Sequence, residues 1–521
     1  MFCRSFCASI MGVKALLVKV EADVTEGLPV FRMVGYLGSE VKEAADRVRS
    51  SVKNTGYAFK SKRVTVNLSP ADIRKEGTVF DLSIAMALLA AFGYVNSTRY
   101  NDIMFLGELS LNGRINSIDG ILPAVVSAKE NGLKFCFVPA DNIAEACMVN
   151  DIGIIGVSSL SEAVEFIKED NLYIHTVSDT YETASDKKNA YSAYGDFSDI
   201  RGQEQLKRAA QIAVAGRHNM LIIGSPGAGK TMLAERLAGI MPGMTEDESM
   251  EVAAVKSICG DAKGAGEDRY IRPFRAPHYS ISPAGLIGGG GNPVPGEITR
   301  AHNGILFLDE LAEFKRSTVE LLRAPMESGK VIHARKNRSV EYPCDFMLVA
   351  AMNPCPCGYY PDISRCRCTP NQVRSYLGRI SHAFLDRIDI IIEAEKIDFD
   401  DNIYNDIDVQ SSADILKMTE AAKNIQKKRY DGSSVTCNAR ISSDDIKKWC
   451  SISGPGLSFL KDIYKEWGLS VRSYNKLLKV ARTIADYEGS EDITSSHIEE
   501  AVFYRKAEYR LWNKTGELIW S

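Results

Sequence analysis

Hydrophobic positions change their spacing several times along the chain, and those changes divide it. Over residues 1–168, short alternating or apolar runs at 15–22, 30–34, 63–68 and 135–138 predict strands, because a half-buried strand repeats every second residue. Residues 41–52 carry apolar side chains at helical spacing, 80–92 form a run of small apolar residues long enough for a helix, and 122–130 predict a third. Asn112-Gly113, inside 105–115, predicts a hairpin turn, since this pair tolerates the positive φ that a tight turn needs. Residues 169–195 are polar and without period, which predicts a linker. From 196 to 396 an α/β pattern resumes. A helix over 204–215 leads to apolar strands at 220–223, 304–308 and 346–352, the last two followed directly by polar residues. The remainder, 397–521, reads as a helical C-terminal region.

The strand at 220–223 runs directly into Gly224-Ser225-Pro226-Gly227-Ala228-Gly229-Lys230-Thr231, and a helix is expected over 232–240. Strand, glycine loop and helix form the setting in which G-x-x-x-x-G-K-[ST] binds a nucleoside triphosphate. Backbone N–H groups must converge on phosphate oxygens, hence Gly227 and Gly229. The helix N-terminus adds positive potential. Lys230 is expected on the β- and γ-phosphates and Thr231 on Mg²⁺. A chance glycine turn would lack these flanks. The strand at 304–308 ends in Asp309-Glu310. Asp309 is placed to hold Mg²⁺ through water, and Glu310 to polarise the attacking water.

Two resemblances follow from particular residues. Residues 107–114 (Gly-Glu-Leu-Ser-Leu-Asn-Gly-Arg) and 119–122 (Asp-Gly-Ile-Leu) make the N-terminal stretch similar to the Lon-protease-like domain. That resemblance implies a ribosomal-S5-type α/β fold. The protease serine and lysine positions hold Val79 and Leu122 here, and neither can act as nucleophile or base. The implied role is assembly or binding.

The second resemblance is to the AAA+ ATPases. It implies sensor 1 at Asn353, after the strand at 346–352, and a trans-acting arginine at Arg387, with Arg379 as the alternative. It also implies a sensor 2 arginine at Arg472, in a C-terminal helical lid. Surface ion pairs are the plainer reading of the arginines. A residue that completes the neighbour's site implies a ring, expected to have six members. Residues 272–278 (Arg-Pro-Phe-Arg-Ala-Pro-His), 285–290, 295–298, 353–358 (Asn-Pro-Cys-Pro-Cys-Gly) and 480–486 narrow the likeness to magnesium-chelatase-like AAA+ proteins of the ComM/YifB family. That family implies a hexameric ATPase acting on DNA, as a branch-migration helicase in recombination or natural transformation. The expected organisation is a Lon-like domain at 1–168, a linker at 169–195, an AAA+ core at 196–396 and a helical lid at 397–521.

Two local features add chemistry. Residues 330–340 read as a hairpin with a basic tip, where Arg335, Lys336 and Arg338 would track DNA phosphates. A solvated turn is the alternative. Cys355, Cys357, Cys366 and Cys368 lie within a loop spanning 355–368 and suit a closed tetrahedral Zn²⁺ site. Free thiols or a redox pair are the alternatives.

Bulk composition changes the picture little. The 521 residues carry a formal net charge of −4, so DNA contact would need a local basic surface. No apolar run approaches a membrane span, and residues 1–4 lack a long apolar signal core. Together with twelve cysteines in so long a chain, this predicts a reducing cytoplasm. Three functions compete: a DNA motor, a chelatase-type ATPase remodelling a protein partner, and a scaffold with a vestigial ATP site. The complete set Lys230, Asp309, Glu310, Asn353, Arg387 and Arg472 argues against the scaffold.

Overall fold

A computed structural model describes residues 1–169, 171–177, 194–261, 270–290, 293–335, 338–362, 364–395, 410–452 and 454–513. It divides into two compact units. The first comprises 1–186, 246–269 and 332–342, and the second 187–245, 270–331 and 343–521.

The first unit is built on a seven-stranded sheet. Its order is Val30–Val34, Arg63–Ser69, Lys14–Thr25, Phe2–Met11, Ile103–Phe105, Phe135–Pro139 and Gly153–Val157. The strands at 14–25, 30–34, 63–69 and 135–139 match the expected runs. Phe2–Met11 was not expected, yet it is the central strand, antiparallel to Lys14–Thr25 on one side and parallel to Ile103–Phe105 on the other. Its period is masked by Arg4, Ser5 and Ser9 among the apolar positions, and Ser5 and Ser9 are buried. Ser5 can afford that burial because its hydroxyl donates to the Ser83 carbonyl, at 3.0 Å. Helix Ser39–Asn54 buries Val41, Ala44, Val48 and Val52 on one face. Helix Asp81–Ala91 is buried all round, which its small apolar residues permit.

The expected hairpin is shorter than the pattern suggested. Phe105 ends a strand of the main sheet, and only Glu108–Leu109 and Ile115–Asn116 pair around the Asn112-Gly113 turn. Gly113 has φ +90°, and a Cβ there would lie 2.3 Å from Thr55 Cγ2. Helix Glu246–Ile258, from the stretch assigned by sequence to the AAA+ core, belongs to this unit. Met250, Ala253 and Ala254 pack against its core. Most of the expected linker, residues 170 and 178–193, lies outside the described residues. So does the expected start of the lid, 397–409.

The second unit carries a five-stranded parallel sheet, ordered Phe274–Arg275, Ile305–Leu308, Met347–Met352, Met220–Ile223 and Ile390–Glu393. Strands buried on both faces read as continuous apolar runs, and the three central ones do. C-terminal helices Ser412–Arg429, Gly454–Trp467, Val471–Tyr487 and Ser495–Phe503 form the helical region, and their apolar faces share a core with helix Glu204–Gly216. Among the described residues no helix is long and apolar enough to cross a membrane.

Candidate nucleotide site

Register places the chemistry. Ile223 lies opposite Met352, and Leu308 opposite Ala350, so three parallel strands end together at one edge of the sheet. The phosphate loop, Asp309-Glu310 and Asn353 leave from that edge, where open α/β sheets bind ligands.

Gly227 and Gly229 have φ +81° and +76°, and a Cβ on either would meet nothing within 4 Å. Backbone conformation therefore demands glycine there, while the space over the loop stays open. Gly224 is glycine for another reason, since a Cβ would sit 2.8 Å from Ala394 Cβ. The following helix, Lys230–Ile240, starts two residues earlier than the pattern suggested. Lys230 Nζ donates to the carbonyls of Gly224 (2.8 Å) and Ser225 (2.9 Å) and to Asn353 Oδ1 (3.3 Å). Burial lowers its pKa, while Asp309 and Glu310 pull the other way. A triphosphate would supply the missing counter-charge.

Thr231 Oγ1 donates to Asp309 Oδ2 at 2.7 Å. A hydroxyl and a carboxylate oxygen side by side, both hard donors, fit Mg²⁺. Glu310 is exposed at φ +52°, a left-handed conformation that a non-glycine residue seldom adopts. The chain thus brings Lys230, Thr231, Asp309, Glu310 and Asn353 together.

The three arginines are placed differently. Arg387 follows the short helix His382–Leu385, donates to the Ala383 carbonyl at 2.8 Å and pairs with Glu327 at 2.7 Å. Its Nε is buried without a partner among the described residues. Arg379 is half exposed and bonded to Glu313 and the Ala312 carbonyl. Arg472 is exposed in the first turn of helix Val471–Tyr487. Neither Arg387 nor Arg472 hydrogen-bonds to the phosphate-loop group among the described residues.

Cys355, Cys357, Cys366 and Cys368 converge, with sulfur atoms 3.4, 3.6 and 3.8 Å apart in three pairs and all within 4.8 Å. Ligands at about 2.3 Å in a tetrahedron lie about 3.8 Å apart, so four thiolates here could hold a metal ion. This loop also backs the phosphate loop. Gly358, at φ +84°, lies so close that a Cβ would be 2.5 Å from Pro226 Cδ. Strands Lys330–Arg335 and Arg338–Pro343 pair as the expected hairpin. Lys336 at its tip lies outside the described residues, as do the side-chain placements of Arg335 and Arg338.

Asn219 was missed by sequence reasoning. Its Oδ1 accepts from Leu348 N–H at 2.9 Å, and its Nδ2 donates to the Arg387 carbonyl at 2.9 Å. An amide immediately before a buried strand was the available signal. The Arg272–His278 array also has structural work. Arg272 is buried and donates to the Pro242 and Asn303 carbonyls, and Arg275 makes a two-pronged pair with Glu297 at 2.7 and 2.9 Å.

Three family models match the chain. "Magnesium chelatase, subunit ChlI" covers residues 196–402, "Subunit ChlI of Mg-chelatase" covers 20–142, and "Magnesium chelatase, subunit ChlI C-terminal" covers 409–505. The chain is 40% identical over 512 residues to competence protein ComM of Haemophilus influenzae, covering 98% of each. It is 40% identical over 495 residues to YifB of Escherichia coli, covering 95% of each. Its N-terminal region is 26% identical over 140 residues to the Lon protease of Mycolicibacterium smegmatis, which is 26% of this chain and 18% of the protease. With an AAA+ nucleotide site at one end of its parallel sheet and a Lon-like N-terminal region, the chain belongs to the ComM/YifB family of magnesium-chelatase-like ATPases.

Proposed function

We propose that this chain is a ring-forming ATPase, six subunits to the ring, that couples ATP hydrolysis to the remodelling of single-stranded or branched DNA in the cytoplasm. The observation that carries the ATPase part is the convergence of Lys230, Thr231, Asp309, Glu310 and Asn353 on one sheet edge. Lys230 neutralises the β- and γ-phosphates. Glu310 orients the attacking water and Asn353 fixes it against the γ-phosphate. Thr231 and Asp309 would hold Mg²⁺, which when bound shields charge on the phosphates. Arg387 would leave Glu327 to complete the site of the neighbouring subunit, and Arg472 would act as the sensor 2 arginine. A structural Zn²⁺ on the four thiolates would pin the loop behind Pro226.

DNA as substrate is supported by the hairpin whose tip carries Arg335, Lys336 and Arg338, and by the competence role in the name of the Haemophilus relative. Branch migration is the corresponding activity. The alternative, a chelatase-type ATPase remodelling a protein partner, is favoured by the family models, which are named for a magnesium-chelatase subunit. One measurement separates them: ATP hydrolysis with and without single-stranded and four-way-junction DNA. Stimulation by DNA is expected, and identical rates with and without it would favour the protein remodeller.

A further inference from the structure

The middle of the phosphate loop rests against Gly358. Both ends of the loop are fixed: the Gly224 N–H donates to the Met352 carbonyl at 3.1 Å, and Lys230 opens the following helix. Between those ends, a Cβ on Gly227 or Gly229 would meet nothing within 4 Å, so the loop has room to move on that side. Its other side meets the four-cysteine segment. A Cβ on Gly358 would lie 2.5 Å from Pro226 Cδ and 2.8 Å from Pro226 Cγ, closer than packed carbons approach. Any side chain there must push something aside. Gly358 itself is braced. Its N–H donates to the Cys355 carbonyl at 3.0 Å, and the Tyr360 N–H donates to the Cys355 sulfur at 3.4 Å. Cys355 is buried just beyond the buried strand Met347–Met352. Pro226 Cδ is bonded to its own backbone nitrogen, so the ring cannot swing away without carrying the backbone. The phosphate loop is therefore the side that gives. The peptide after Pro226 carries the Gly227 N–H, one of the groups that must converge on phosphate.

We propose that Gly358 is a positioning residue for ATP: lacking a side chain, it lets the cysteine segment seat Pro226 at the depth from which the phosphate loop presents its N–H groups. This rests on the nucleotide reading above, and on neither the ring nor DNA. The φ of +84° at Gly358 is a second reason for glycine, since an L side chain is strained there whatever its neighbours. The two reasons separate by experiment, because only the contact depends on the ring of Pro226.

The test uses full-length protein and the binding of ATPγS with Mg²⁺. Gly358→Ala is expected to weaken binding about tenfold, the scale of one weakened charge-assisted hydrogen bond. The KM for ATP should rise with it while kcat changes by less than about threefold, a split that loss of folded protein would not give. Pro226→Ala removes Cγ and Cδ and is the reference for the double variant, whatever its own affinity. In that background, adding Gly358→Ala should cost less than about twofold, because the atoms it would strike are gone. Affinity within about twofold of the wild type in Gly358→Ala alone would overturn the proposal. So would a further loss of about tenfold in the double variant, which marks backbone strain without the contact. If Gly358→Ala does not fold, the double variant is read by itself. Folding with the ATPγS affinity of Pro226→Ala upholds the contact, and failure to fold overturns it. Failure of the nucleotide reading is distinguishable, since Lys230→Ala would then bind ATPγS as tightly as the wild type.

Discussion

Two regions of this chain dispose of their polar groups differently. In the Lon-like region, Val79 and Leu122, which the resemblance would put at the nucleophile and base positions, are buried to 8% and 0% exposure. Around them the polar groups are consumed by structure. Arg47 grips Asp81 at 2.7 and 3.0 Å, Thr78 bonds to Glu108, and Glu145 accepts from the Leu122 N–H at 3.2 Å. Burial pushes the Asp81 carboxyl up to about 6 despite Arg47. In the ATPase region the polar ends stay open. Glu310 and Thr231 are exposed, and among the described residues a Cβ on Gly227 or Gly229 would meet nothing within 4 Å. In the first region polar groups are paired and covered, whereas at the candidate nucleotide site donors and acceptors face solvent.

Glu310→Gln attacks the working side. Turnover should fall about a thousandfold while ATP binding persists, because the amide no longer accepts a proton from water. Hydrolysis at the wild-type rate, measured by phosphate release, would remove Glu310 from the mechanism. Leu122→Asp attacks the closed side. A charge buried beside Glu145 should cost about 3 kcal/mol, read as a lower denaturant midpoint. An unchanged midpoint would mean that this position is not part of a packed core.

The cysteine loop tests whether the working side extends behind the phosphate loop. The purified protein should hold about one Zn²⁺ per chain, and Cys366→Ser should lose it. Elemental analysis that finds no metal in protein prepared without chelator would refute the site. Smallest in effect is neutralisation of Arg335, Lys336 and Arg338 together. DNA affinity should weaken for every sequence, and the salt slope should drop by about one unit per lost phosphate contact. ATP affinity should hardly change. A slope equal to that of the wild type would take the hairpin off the DNA.

The central strands and the phosphate loop were legible because burial on both faces leaves uninterrupted apolar runs, and a positive φ leaves glycine. The strand Phe2–Met11 was not, because its buried Ser5 is satisfied by a residue 78 positions away. The same limit hid the role of Asn219, whose amide joins Leu348 to the Arg387 carbonyl: spacing along a chain records neighbours, not partners brought in by folding. Nor does a pattern reveal that helix Glu246–Ile258 is claimed by a different core from the strands flanking it.

That last feature bears on how the protein can be dissected. Cutting at the expected linker to isolate the ATPase would leave helix Glu246–Ile258 without the surface that covers Met250, Ala253 and Ala254. It would also remove the N–H groups of Gly120 and Leu122, which donate to the Ser257 carbonyl at 3.1 Å and hydroxyl at 3.3 Å. The excised fragment would carry a sticky apolar stripe within its own sequence. A soluble ATPase fragment calls for redesign of that helix face as well as a cut in the chain.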